Sequence, residues 1–314
     1  MEKITSRILY GIIWVLSLIP LRILYLFSDM IWLVMFICPP LRYRRKIVRK
    51  NLTASFPEKS EKELRRIERR FYRQFLDQIF EMFKSASMSG KWIRRHMRFI
   101  GLENLEKEFA DGRSMVMYLG HTGNWEWIAS LPENVSKDVL CCQVYHPLES
   151  KLADDIMLRL RSSYGAVSIS MKMVLRRLLQ YRNEKQKFII GMIADQVPLW
   201  WEIHYWTDFL NHRTPVFTGS EQIIRKMDLS VCYGHISRPR RGFYELRAIP
   251  MYSHTADLPE SAVTEKYMRM LEENIRECPE LWLWSHNRWK RTWEGYQNWL
   301  KTRLRSNRRD NEKE

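Results

Sequence analysis

The chain has 314 residues, room for at most two domains of about 150 residues each. With 45% hydrophobic and 28% charged residues it can bury a core, which excludes a disordered chain. Lys and Arg number 52 against 36 Asp and Glu, and the net +16 points to an anionic partner: nucleic acid, an acidic membrane surface or a phosphorylated substrate.

From Ile8 to Cys38 the chain is almost wholly apolar, with Arg22 and Asp29 its only charges. The run exceeds the ~20 residues that cross a hydrocarbon core, but Pro20 and the two charges divide it. It reads as a kinked membrane span, or as a helix or helical pair lying in one leaflet; the competing reading is an apolar core helix. Residues 1–40 are expected to form a membrane anchor. Arg42, Arg44, Arg45, Lys46, Arg49 and Lys50 follow with no acid among 41–50, so the positive-inside rule keeps the body of the protein cytoplasmic. No small-residue cleavage site precedes them, which argues against a signal peptide.

Residues 41–96 read as a basic helical region. Ser60 and Glu63 fit a capping box opening a helix to about Ala86, with Leu64, Ile67, Phe71, Phe75 and Ile79 as its apolar stripe. From 97 to 300 short apolar runs alternate with helical patterns. Strands are expected at Ser114–Leu119, Val139–Tyr145, Lys187–Ala194, Leu229–Ile236 and Phe243–Ile249. Helices are expected near 102–110, 124–131, 149–163, 171–183, 218–227 and 261–277. The fold class is α/β, a mixed, largely parallel sheet flanked by helices, with an N-terminal hydrophobic membrane helix.

Residues 301–314 form a basic, charged tail. Trp282, Trp284, Trp289, Trp293 and Trp299 lie among or beside the cations of 288–309. They fit a base-stacking platform for nucleic acid, a lipid-phosphate patch, or plain core. No RNP-like, KH or zinc-finger pattern supports nucleic acid. Five cysteines without CxxC spacing give no disulfide framework and no zinc site, and read as reduced thiols.

The expected strand SMVMYLG runs into His121-Thr122-Gly123-Asn124-Trp125-Glu126 and then a helical pattern. Such a junction is where an open α/β sheet places ligands. His121 and Glu126, five residues apart, cannot share a helix face; they meet only if His121 lies in the preceding turn, which Gly120 and Gly123 permit. Glu126 would then fix the tautomer of a His121 base, and the amides of Thr122 and Gly123 would face an oxyanion. The bland alternative is a histidine capping a helix with a glutamate in its first turn.

Several segments together resemble the bacterial lipid A biosynthesis acyltransferases, over nearly the full length. These are the apolar start ending near Pro39-Pro40, Asn51-Leu52 with Phe56-Pro57, Gly101-Leu102-Glu103-Asn104-Leu105, and GHTGNWEW at 120–127. Arg159-Leu160-Arg161, Ala194-Asp195-Gln196 and Trp284-Ser285-His286-Asn287-Arg288-Trp289-Lys290 continue the pattern. The resemblance implies transfer of a fatty acyl chain from acyl carrier protein to a hydroxyl of an anionic lipid A precursor. The enzyme would sit at the bacterial inner membrane with its catalytic domain on the cytoplasmic face, needing no cofactor, metal or nucleic acid.

It also implies catalytic roles for His121 and Glu126, and support from an Arg, with Arg161 preferred to Arg159. Asn124 is expected in substrate binding. Asp195 and Gln196 can orient the acceptor or His121, or cap a turn. Arg288 and Lys290 can bind lipid phosphates or the carrier, or form a solvated basic face, and His286 reads as a structural histidine. The rivals are the same chemistry on another glycolipid, an ornithine lipid or a lysophospholipid, and a non-catalytic basic membrane or nucleic-acid-binding protein.

Overall fold

The computed structural model describes residues 2–311, with the backbone alone at residues 2–4, 39 and 304–311; positions 312–314 of the expected tail lie outside the described residues. In chain order the first helices are α1 (Glu2–Ser17), α2 (Leu21–Ile37), α3 (Arg45–Ser55), α4 (Glu61–Lys84) and α5 (Gly90–His96). Strand β1 (Met97–Ile100), α6 (Leu102–Ala110), β2 (Met115–Leu119), a 3₁₀ helix (Trp125–Glu133), β3 (Leu140–Tyr145) and α7 (Lys151–Arg161) follow. Then come β4 (Val167–Ser170), α8 (Val174–Asn183), β5 (Phe188–Ile193), β6 (Tyr205–Phe209), β7 (His212–Val216) and α9 (Gly219–Met227). The long strands β8 (Ser230–Arg240) and β9 (Phe243–Tyr252), then α10 (Ala262–Glu277) and α11 (Trp293–Asn311), complete the chain.

The apolar start does not form one long membrane helix. Pro20 lacks an N–H and disfavours helix in the residue before it, so the chain breaks there and the two helices bend by 101°. Neither is long and apolar enough by itself to cross a membrane. One side of α2 is bonded to the body: Tyr25 Oη donates to Glu81 (2.5 Å), Ser28 Oγ to Asp77 (2.7 Å) and Trp32 Nε1 to the Arg69 carbonyl (3.2 Å). Arg73 and Arg241 hold Asp29, the charge that looked out of place in an apolar run. The opposite sides of α1 and α2 expose Ile8, Ile12, Val15, Leu26, Met30, Leu33 and Ile37.

The capping box opens α4 as expected, with the Ser60 amide donating to Glu63 at 2.8 Å. The main sheet has seven strands in the order β1-β9-β8-β2-β5-β3-β4, and only β8 and β9 pair antiparallel. Strand β2 is buried on both faces: Val116 and Tyr118 enter one core, Met115, Met117 and Leu119 the other, at the period-two spacing of a strand covered on both sides. Trp282, Trp284 and Trp289 are buried in the first of these cores, which takes them away from any surface platform.

Short or disguised strands account for what the sequence left out. Strands β1 and β4 have four residues each. The β6–β7 hairpin turns through Leu210 and Asn211, both at positive φ (50° and 63°), without the Asn-Gly signature of such turns. Leu210 is fully buried there, so packing offsets the backbone cost.

Candidate active site

Strands β2 and β5 are parallel neighbours in register, Leu119 beside Ile193, so their carboxyl ends emerge together. One end feeds the turn at 120–124, the other Asp195 and Gln196. Two segments some 75 residues apart therefore deliver side chains to one spot.

At that spot His121 Nδ1 lies 2.6 Å from Asp195 Oδ1. Asp195 Oδ2 accepts from the His121 amide and from Trp282 Nε1, both at 2.8 Å. Burial pushes the Asp195 carboxyl up, but His121 and the donated hydrogen bonds outweigh it and hold it down at about 2. An ionised Asp195 keeps the proton of neutral His121 on Nδ1 and leaves Nε2 as the basic nitrogen. Nε2 is 3.3 Å from the side-chain amide nitrogen of Gln196.

Glu126 does not meet His121 as expected and is bonded elsewhere. Arg161 donates to it through Nε (2.8 Å) and Nη2 (2.7 Å), and Trp125 Nε1 adds a third bond at 3.1 Å. The reason is local: the segment enters a 3₁₀ helix at Trp125, whose ring packs edge-on against His121 at 5.0 Å, while Glu126 turns to α7. Arg159, two residues before Arg161, lies on the exposed side of α7 over the Tyr10 ring.

Three further groups named from the sequence are engaged within the protein. The Thr122 amide donates to the Gly120 carbonyl (2.7 Å) and the Gly123 amide to Leu281 (2.9 Å), so neither is free for an oxyanion. Asn124 is fully buried: its Oδ1 accepts from the Trp127 amide (3.2 Å) and its Nδ2 donates to Glu81 (2.8 Å), so it caps the 3₁₀ helix instead of facing substrate. Arg288 is also fully buried, donating to the Pro215 carbonyl at 2.7 Å; burial lowers its pKa to about 10 against the pull of Asp195. Lys290 is exposed.

Gly123 is required by its backbone, and Gly120 sits close against a core side chain. Gly123 has φ +59°, and a Cβ there would lie 2.9 Å from Ile236 Cγ2; one on Gly120 would lie 2.5 Å from Leu271 Cδ1. Behind the turn, buried Glu81 accepts from Tyr25 of α2, Asn124 of the turn and Tyr244 of β9. Burial raises its pKa, and these donors oppose the rise. His286 accepts from the Val197 amide (3.4 Å), and burial takes its pKa down to about 4. Sequence reasoning passed over Glu81, and it named Trp125 and Trp282 without giving either a place beside His121 or Asp195.

Two cavities meet at Trp125 and Glu126. The first, narrow (≈ 70 Å³), runs under the 3₁₀ helix between Leu119, Ala129, Cys141, Gly191 and Ile193, with Glu126 and Arg161 on its wall. The second (≈ 300 Å³) lies between α4 and the 283–286 segment. Burial pushes the thiols of Cys141 and Cys142 up to about 12, so they act as apolar wall. Among the described residues no group of three or more His, Cys, Asp or Glu is placed to hold a metal ion.

A histidine–carboxylate pair thus lies beside Trp125, which lines both apolar cavities. The family model of the bacterial lipid A biosynthesis acyltransferases matches residues 3–291, and the chain belongs to that family. It is an acyltransferase acting on a lipid A-type acceptor. No curated protein matches it.

Proposed function

We propose that the protein is a membrane-bound O-acyltransferase moving a fatty acyl chain from acyl carrier protein to a hydroxyl of a lipid A precursor. The observation that carries this reading is the His121–Asp195 pair, packed against the Trp125–Glu126 wall of the two apolar cavities. His121 Nε2 takes the acceptor hydroxyl proton as the oxygen attacks the thioester carbonyl. Asp195 stabilises the imidazolium, which then returns the proton to the departing carrier thiolate. With the amides of Thr122 and Gly123 engaged, Arg161, fixed by its two bonds to Glu126, is the donor assigned to the oxyanion. The narrow cavity receives the donor chain.

Membrane association is proposed through the exposed apolar sides of α1 and α2, which lie in one leaflet while their other sides stay on α4. Catalysis then takes place on the cytoplasmic face of the inner membrane. The net +16 suits an acidic carrier and a phosphorylated acceptor.

The test is acyl transfer by detergent-purified protein, with a panel of acyl carrier protein thioesters and a Kdo-bearing tetra-acylated lipid A precursor, read by mass. One added acyl chain, lost in His121→Ala, is expected. No product with any thioester from folded protein would overturn the reading and favour another lipid acceptor.

A further inference from the structure

The second cavity has no part in the chemistry assigned above. Its lining includes Trp125 and Glu126, the α4 residues Phe75, Ile79 and Met82, and Tyr43 and Arg44, whose exposure marks its open side, the mouth. The mouth opens where the exposed apolar side of α2 gives way to the basic segment: Ile37, Leu41 and Tyr43 are exposed apolar residues, and Arg44 is exposed beside them. That is the level of a headgroup if the apolar side lies in lipid.

The arginines of this segment are not equivalent. Arg42 and Arg49 pair with buried Glu68 at 3.2 and 3.1 Å, and Arg45 stands 3.8 Å from it. Arg44 instead lies over the Tyr43 ring and bonds the Ser285 carbonyl at 3.3 Å. Among the described residues no carboxylate neutralises it. Its backbone sits in the left-handed region, φ 53°, a conformation costly for a side-chain-bearing residue, which turns it from its neighbours toward the cavity mouth. A cation without a counter-charge, at the mouth of an apolar cavity that ends beside the base, matches a ligand with a phosphate at one end and a hydrocarbon chain at the other.

We infer that this cavity takes the hydroxyl-bearing acyl chain of the acceptor lipid, and that Arg44 binds a phosphate of its headgroup. The inference rests on the acceptor being a phosphorylated lipid A-type molecule. Donor and acceptor chains then approach the Trp125–Glu126 wall from opposite sides and meet at His121.

Two measurements test it. The first uses a tetra-acylated, phosphorylated glucosamine disaccharide lipid with a diazirine on a hydroxyacyl chain, photolysed with the full-length protein and mapped by peptide mass. Labels on Ile79, Met82 or Leu283 are expected, and their loss in Ile79→Trp. Labels confined to α1 or to the residues under the 3₁₀ helix would overturn the inference. The second compares acceptor KM. Arg44→Ala is expected to raise it about tenfold, with donor KM unchanged, and Arg44→Lys to recover part. The dephosphorylated acceptor should show no difference between Arg44→Ala and wild type, and exposed Arg176→Ala should change nothing. Equal losses with both acceptors would refute the phosphate role. Labelling without any acyl transfer would overturn the reaction assigned above and leave the lipid site standing; transfer with labels elsewhere would do the reverse.

Discussion

Replacing Asp195 by asparagine separates the two carboxylates that can serve His121. The change keeps size and shape but removes a charge held 2.6 Å from Nδ1, and the amide nitrogen can then donate where the carboxylate accepted. That turns the imidazole to the wrong tautomer and withdraws the anion that balances the imidazolium. Opposite charges centred about 4 Å apart interact by about 4 kcal/mol at an effective dielectric near 20. At ~1.4 kcal/mol per decade this is about a thousandfold in kcat. The assay is single-turnover acyl transfer with saturating donor and acceptor, beside circular dichroism to establish folding. Glu126→Gln keeps one acceptor for Arg161 and should cost only about tenfold, as the loss of part of a charge-assisted pair. If folded Asp195→Asn works within tenfold of wild type, or if the thousandfold loss falls on Glu126→Gln instead, the assignment of the His121 partner is wrong.

Gly123→Ala should destabilise the fold by about 2–3 kcal/mol, from left-handed backbone plus a Cβ pressed on Ile236, read as a lower urea midpoint. Gly191→Leu, which fills the narrow cavity, should shift preference toward shorter donor thioesters, with about 0.8 kcal/mol of binding lost per excluded methylene; an unchanged chain-length profile would remove that cavity from the donor path. His286 is neutral when folded, down to about pH 4, but protonates near 6.5 when unfolded. The unfolded chain binds the extra proton between these values, so stability is full above about 6.5 and falls as pH drops toward 4, by about 1–2 kcal/mol after allowing for partial exposure. His286→Gln should flatten that slope in denaturant midpoints. Leu33→Glu with Ile37→Glu should weaken binding to anionic vesicles while leaving the thermal midpoint within a few degrees, since both side chains face outward.

Much of the scaffold is legible in the chain because its signals are local. The capping box at Ser60, the alternation that exposes β2, β3, β5, β8 and β9, and the break at Pro20 each depend on a few neighbouring residues. The site is legible only in part. GHTGNWEW marks the turn, but which carboxylate reaches His121 depends on β2 and β5 being adjacent, a fact of strand order that no spacing along the chain records. Glu126, nearer in sequence, is turned away by the 3₁₀ helix, and Arg288 looked like a surface cation until burial decided otherwise. The Gly123 amide was hidden for the same reason, its acceptor being Leu281 far along the chain, whereas the Thr122 amide is taken by Gly120 within the turn itself.

Glu81 carries a practical consequence for anyone trimming the apolar start of the enzyme. A chain begun after residue 40 would strip Tyr25 from this carboxylate, and Ser28 from Asp77, while Asn124 at the His121 turn still leans on Glu81. A buried acid short of a donor costs about 1–3 kcal/mol or more, and here the debt would fall on the turn that carries His121. The apolar head is thus part of the scaffold that holds the His121 turn, and peeling α2 from α4 should silence the enzyme before it unfolds it.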